Sequence, residues 1–107
     1  MKPVAWVGSS RTDLRALAAE VRRELGYDLR LVQRGRDPRD SKPMSTVGAG
    51  VLEIRVRVEG AFRMFYIAKF PEAIYVLHVF QKKSRQTSRL DIELGRARYR
   101  AAVRARA

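Results

Sequence analysis

Apolar and polar positions alternate most cleanly between Val51 and Val58. Leu52, Ile54, Val56 and Val58 are apolar, and Glu53, Arg55 and Arg57 are polar. That is the period-two pattern of a strand with one face on a core. Glu59-Gly60 marks a turn, and Phe62 to Phe70 reads as the returning strand of a hairpin. After Pro71-Glu72, the run Ala73 to Phe80 is almost continuously apolar, which suits a central strand covered on both faces. Nearer the N-terminus, Val4 to Val7 is a short candidate strand. Leu14, Leu17, Val21 and Leu25 then recur at helical spacing. Ser10 with Asp13 fits a loose capping box for this helix, and Gly26 fits its stop. A second, short helix is expected from about Asp28 to Arg34, ending at Gly35. Residues 35–50 are rich in Gly, Pro, Ser and Asp and read as a long loop, a feature that is often functional. Past the basic QKKSRQT segment, Ser88 and Asp91 open a C-terminal helix. Its expected buried stripe is Leu90, Leu94, Ala97 and Ala101, with Gly95 weakening it by about 1 kcal/mol relative to Ala. The predicted order is βααβββα. This is one α+β domain over residues 1–107: a small antiparallel-rich sheet, two N-terminal helices and a C-terminal helix.

Charge changes the picture next. Lys and Arg number 23 against 11 acidic residues, a net charge of +12, and most of the cations are arginine. Arginine offers planar, bidentate contacts to phosphate, so this balance fits a polyanion. The plainer reading is a basic surface that only keeps the chain in solution; the size of the excess favours nucleic acid. The absence of cysteine excludes disulfides and thiol chemistry. With a single histidine as well, a metal site of soft or nitrogen ligands is not expected. No stretch approaches the ~18 apolar residues of a membrane span. The N-terminus turns polar too soon for a signal peptide, so the expected location is the cytoplasm, with no membrane partner.

The ordered motifs add a family likeness. A Gly-rich lead-in precedes Glu53-Ile54-Arg55; Phe62-Arg63-Met64-Phe65-Tyr66 follows, then Leu77-His78-Val79-Phe80 and Lys82-Lys83-Ser84. Upstream, QRGRDPRDSKPM runs from Gln33 to Met44. This set resembles the RelE/HigB toxin superfamily, in particular its phage-derived, HigB-like branch, over nearly the whole chain. No single motif is specific; their order and spacing are. The resemblance implies the RelE-like fold and a ribosome-dependent messenger-RNA endonuclease of a type II toxin–antitoxin pair. It implies 2′-hydroxyl attack on the adjacent phosphate without metal or cofactor. The implied partners are the ribosome with its messenger and a cognate helix-turn-helix antitoxin. Two alternatives stay open: a nucleic-acid-binding module without catalysis, and a degenerate toxin kept as antitoxin partner or corepressor.

Such chemistry needs a base for the 2′-hydroxyl, cations for the phosphate oxygens and a donor for the leaving oxygen. Arg63 and Arg55 are the candidate phosphate clamp, although alternating strand charges are ordinarily just solvated. Arg63 stands out because Phe62 and Met64 flank it. Lys82 is a candidate for the leaving oxygen. Lys83, Lys42 and Arg57 are candidate RNA contacts, Arg57 being the one most readily explained as a solvated residue. Glu53 and His78 are the only titratable groups of the right type within the strand motifs. Beside arginines Glu53 is a weak base and equally a partner that holds them. His78 stands in an apolar run, where a neutral core histidine is as ordinary as a catalytic one. Tyr99 lies mid-helix and reads as packing.

Hairpin register decides whether these groups meet. A two-residue Glu59-Gly60 turn would set Arg63 opposite Val56, on the apolar face, where a charge is costly. A three-residue turn shifts the register by one. Arg63 then faces Arg55 or Arg57, and Glu53, Arg55 and Arg63 share a face. The longer turn is the expectation.

Overall fold

The structure, a computed structural model, describes residues 1–106. A five-stranded sheet is built from β1 (Val4–Trp6), β2 (Ser41–Pro43), β3 (Val51–Arg57), β4 (Ala61–Ile67) and β5 (Ile74–Lys82). The helices are α1 (Ser10–Arg15), α2 (Ala19–Gln33) and α3 (Arg89–Ala105). The strand order is β1-β5-β4-β3-β2. Only the β1–β5 pairing is parallel. The fold is α+β and consistent with the RelE type. No helix among the described residues is long and apolar enough to cross a membrane.

The two sheet faces bury separate apolar clusters. On one face Val21, Leu25, Leu29 and Val32 of α2 meet Ile54, Val56, Phe62, Met64, Tyr66 and Val76. Leu25, Ile54 and Met64 are fully buried there; each such side chain contributes about 1.5–3 kcal/mol. On the other face Val51, Phe65, Ile67, Leu77 and Phe80 meet Met44, Val47 and Ala102.

Helix boundaries differ from the sequence expectation. Gly26 does not stop a helix, because Val21, Leu25, Leu29 and Val32 continue one buried stripe straight through it. The break falls earlier, at 16–18, where the Arg22 guanidinium donates to the carbonyls of Arg15 and Leu17 at 3.1 and 2.9 Å. It thereby satisfies the open end of α1. Ser9 rather than Ser10 is the N-cap of that helix, and its hydroxyl donates to the Asp13 carboxylate at 2.7 Å. Ser10 is buried and donates to the Val76 carbonyl. The long loop is interrupted by β2, whose Lys42 pairs with Glu53.

Helix α3 opens as expected, with Asp91 N–H donating to Ser88 Oγ at 3.1 Å. It presents a different stripe to the sheet, however. Gly95 and Ala102 are buried, and Ile92 and Tyr99 pack beside them. A Cβ on Gly95 would stand 2.9 Å from the Phe65 ring. The glycine thus lets the helix backbone rest on the sheet. The Arg98 guanidinium fixes this rotation by donating to the Leu77 carbonyl and Ser9 Oγ at 3.0 and 2.8 Å. In consequence the stripe predicted to be buried points outward: Leu90 is 77% exposed, Leu94 36%, and Ala97 and Ala101 are exposed. Arg106 closes the far end, donating to both Glu72 oxygens at 2.6 and 3.0 Å and covering Phe70.

Candidate nucleic-acid interface

The hairpin makes the longer turn. Arg57 pairs with Ala61, leaving Val58, Glu59 and Gly60 as the connection. The turn is closed by Val58 N–H to the Gly60 carbonyl at 3.0 Å. Glu59 takes φ +48° and Gly60 φ +154°; the latter is open only to glycine. The register therefore sets Arg63 directly across from Arg55. Glu53, Arg55, Arg57 and Arg63 share the α3 face, since side chains on one face recur every second residue.

Cross-strand rows now define the site. Glu53 lies between Lys42 and Phe65, with His78 beyond. The next row holds Arg55, Arg63 and Phe80; the one after it, Arg57, Ala61 and Lys82. Helix α3 covers the apolar part of this face and leaves the last two rows open. A cleft of about 240 Å³ is lined by Asp40, Arg55, Val56, Arg57 and Arg63. A neighbouring one of about 390 Å³ shares Arg57 and Arg63 and extends to Lys82, Lys83, Ser84 and Arg85. Arg57 and Arg63 form the wall common to both.

Electrostatics single out Arg63. It is only 8% exposed. Its Nη1 donates to the Phe62 carbonyl at 3.1 Å, and Nε stands 3.6 Å from Glu53 Oε1. Burial lowers its pKa; Glu53 opposes that shift, and Arg55 and Arg57 add to it. Arg55 is half-buried and paired with Asp40 at 3.3 Å. Like charges directly opposite on a sheet repel, so an anion in this cleft relieves a cost already built into the fold.

Glu53 is 1% exposed, and its Oε2 has no hydrogen-bond partner. Burial raises its pKa, while Arg63, Lys42, Arg55 and Lys82 pull it back down. Its geometry is that of a carboxylate holding Arg63 from beneath. His78 is brought to the same face, because a bulge between β4 and β5 leaves Leu77 unpaired. There it meets α3 rather than the open cleft: Nε2 is 2.7 Å from Asp91 Oδ1, and the ring stacks on Phe80 with centroids 4.6 Å apart. Its Nδ1 is buried without a partner, and burial lowers its pKa, with Asp91 opposing. Lys42 is exposed on β2 and Lys83 is exposed just past β5. Tyr99 packs its ring over Gly48.

The structure thus gathers Arg55, Arg57, Arg63, Lys82 and Lys83 at one opening. It sets Glu53 below them and His78 behind. Sequence reading missed Asp40 and Arg85. Asp40 is placed by its carbonyl, which accepts from Arg55 N–H at 3.0 Å, a register invisible in a Pro-rich loop. Arg85 stood in the recognised basic linker but matched no motif. Among the described residues no group of three or more His, Cys, Asp or Glu is arranged to hold a metal.

A RelE-like α+β sheet that leaves an arginine cleft open on one face defines the class: small, basic, toxin-like proteins. The chain belongs to the family described as Phage derived protein Gp49-like (DUF891), which matches residues 12–100. No curated protein matches the chain.

Proposed function

We propose that this protein is the toxin of a type II toxin–antitoxin pair, of the HigB-like branch, and that it cuts messenger RNA on the ribosome. The observation that carries this reading is the Arg55–Arg63 pair. The two arginines stand directly opposite each other on β3 and β4, and both line an open cleft. Lys82, Lys83 and Arg85 line its continuation. A scissile phosphate fits between them. In the reaction the 2′-oxygen bonds to phosphorus and the P–O5′ bond breaks, giving a 2′,3′-cyclic phosphate and a 5′-hydroxyl. Arg63 and Arg55 carry the charge that grows on the non-bridging oxygens, so the scheme calls for no metal ion or cofactor. Lys82 donates the proton to O5′. Glu53 positions Arg63 and does not itself contact substrate. The 2′-hydroxyl proton leaves to water in the decoding site, and the ribosome supplies the alignment. Such a role is cytoplasmic.

The partner that holds the toxin in check is a helix-turn-helix antitoxin. The outer stripe of α3, with Leu90 and Leu94 exposed and Arg100 and Arg104 at its border, suits an acidic amphipathic segment of that partner. A second copy of a +12 chain would be repelled. Leu90→Glu/Leu94→Glu is expected to abolish co-purification with the antitoxin while leaving cleavage intact.

Purified protein added to translating ribosomes should create new messenger ends within codons, and naked RNA should be cut poorly. A second reading has an observation of its own: Glu53 is buried and His78 is tied to Asp91, so neither is open to a 2′-hydroxyl. A protein that only binds would occupy ribosomes and leave the messenger whole, which overturns the nuclease reading.

A further inference from the structure

The cleft does not end at Arg55. Its lining continues through Arg55, Val56 and Arg57 to Asp28, Arg39 and Asp40. From there it joins, through Glu24 and Arg39, a groove of about 600 Å³ on the outer side of α2, floored by Gly26 and Tyr27. Each stretch shares lining residues with the next, so the four form one belt. It starts on the α3 face of the sheet, turns the corner where Arg39 and Asp40 lead into β2, and finishes on the opposite side.

We propose that this belt is a path for the single-stranded RNA flanking the cleavage site, with Tyr27 as a base-stacking platform at its far end. The inference rests on the reading that the Arg55–Arg63 cleft holds RNA phosphate.

Charge supports it first. Ten basic side chains line the belt against three acidic ones. Those three are already engaged: Glu24 and Asp28 by Arg39, Asp40 by Arg55. Arg22 is bonded to backbone carbonyls and Arg63 is held by Glu53, but the belt keeps a large excess of positive charge along which a phosphate backbone can run. Tyr27 is the second support. It is 53% exposed, and the Arg39 guanidinium lies 4.6 Å from its ring centroid. That contact holds one face of the ring and leaves the other for a base, the mixture of aromatic and arginine that single-strand binders use. Gly26 is the third. It lies inside a continuous helix, where glycine weakens the structure, and a Cβ there would meet nothing within 4 Å. Packing does not require it. Its bareness leaves a notch beside Tyr27 that a flat base can enter. Finally, the belt turns a corner of the sheet. A flexible single strand follows that path, and a stiff duplex does not.

The test is anisotropy with the full chain and single-stranded RNA of roughly four and roughly twelve nucleotides, spanning known single-strand site sizes. The longer strand should bind at least about tenfold more tightly. Tyr27→Ala should weaken the longer strand by about five- to tenfold and leave the shorter one unchanged, and Tyr27→Phe should restore it. Equal loss on both strands, no loss on either, or equally tight binding of a twelve-pair duplex would overturn the path. Short-strand binding indifferent to Glu53→Gln/Arg63→Gln would instead sink the cleft reading, and the path with it. Retained sensitivity there, with no effect of Tyr27, leaves the cleft standing and removes only the path.

Discussion

The two faces of this sheet are built to different ends. The α2 face is closed: Ile54, Met64, Tyr66 and Val76 lie against Leu25, Leu29 and Val32, and Asp28, the charge buried on α2 beside them, is held by Arg39. The α3 face is closed only halfway. Gly95 lets α3 lie on Phe65, but past Phe80 the surface gives way to arginines and lysines, with Glu53 buried beneath them. The same alternating strands make both. Leu52, Ile54 and Val56 look one way, and Glu53, Arg55 and Arg57 the other. The lesson is that a period-two strand separates stability from chemistry at single-residue resolution. Substitutions on neighbouring positions should therefore fail in different ways.

The largest loss of stability is expected on the closed face. Ile54→Ala should lower unfolding free energy by about 2–5 kcal/mol, read by urea denaturation, while the folded fraction keeps its activity. If the folded protein also stops cutting, the faces are not separable.

Arg63→Ala comes next. It removes the partner of a buried carboxylate, so it should cost about 1–3 kcal/mol, below the full penalty for a deeply buried pair because the cleft is open to water. Adding Glu53→Gln should recover most of that loss. A double variant no more stable than the single one would show that Glu53 does not depend on Arg63.

Smaller effects follow from titration. Burial lowers the His78 pKa from its ordinary 6.5. Its contribution is therefore complete above that value and is lost as pH falls through the lowered one. His78→Gln keeps a donor for Asp91 and should flatten the acid-side slope of stability. Glu53 has the opposite sign. Its pKa is raised from 4.5, so its contribution is complete below 4.5 and is lost as pH rises through the raised value. Glu53→Gln should remove that decline. Denaturation series across pH check both, and unchanged slopes would refute the assignments.

The smallest effect belongs to the α3 terminus. Arg106 and Tyr75 bring the Glu72 pKa down to about 2, so the contact should persist until strongly acid pH. The group is exposed, and Glu72→Gln should only speed amide exchange in the last turn of α3, with global stability unchanged.

Much of this contrast was legible in the sequence. The alternation from Val51 to Val58, the turn at Glu59-Gly60 and the cost of a charge on the apolar face together set the register that pairs Arg55 with Arg63. Other features depended on tertiary contacts. Two helical stripes compete in α3, Leu90-Leu94-Ala97-Ala101 and Ile92-Gly95-Tyr99-Ala102, at equally good spacing. The second stripe won because Gly95 and Ala102 let the backbone approach the sheet. Gly26 looked like a stop because propensity is local, whereas the stripe from Val21 to Val32 is bought by burial. The three residues of β2 carry no periodicity and include a proline. His78 depends on the Leu77 bulge, since strict alternation from Tyr75 would have turned it to the other face.

The central claim is that the open half of the α3 face cuts messenger through Arg63. The direct measurement maps messenger ends on programmed ribosomes with wild type and with Glu53→Gln/Arg63→Gln, which leaves no buried charge unpaired. The account predicts new ends within codons for wild type and none above background for the double variant, with folding and antitoxin binding retained. A folded double variant that cuts the same codons at the wild-type rate would contradict it.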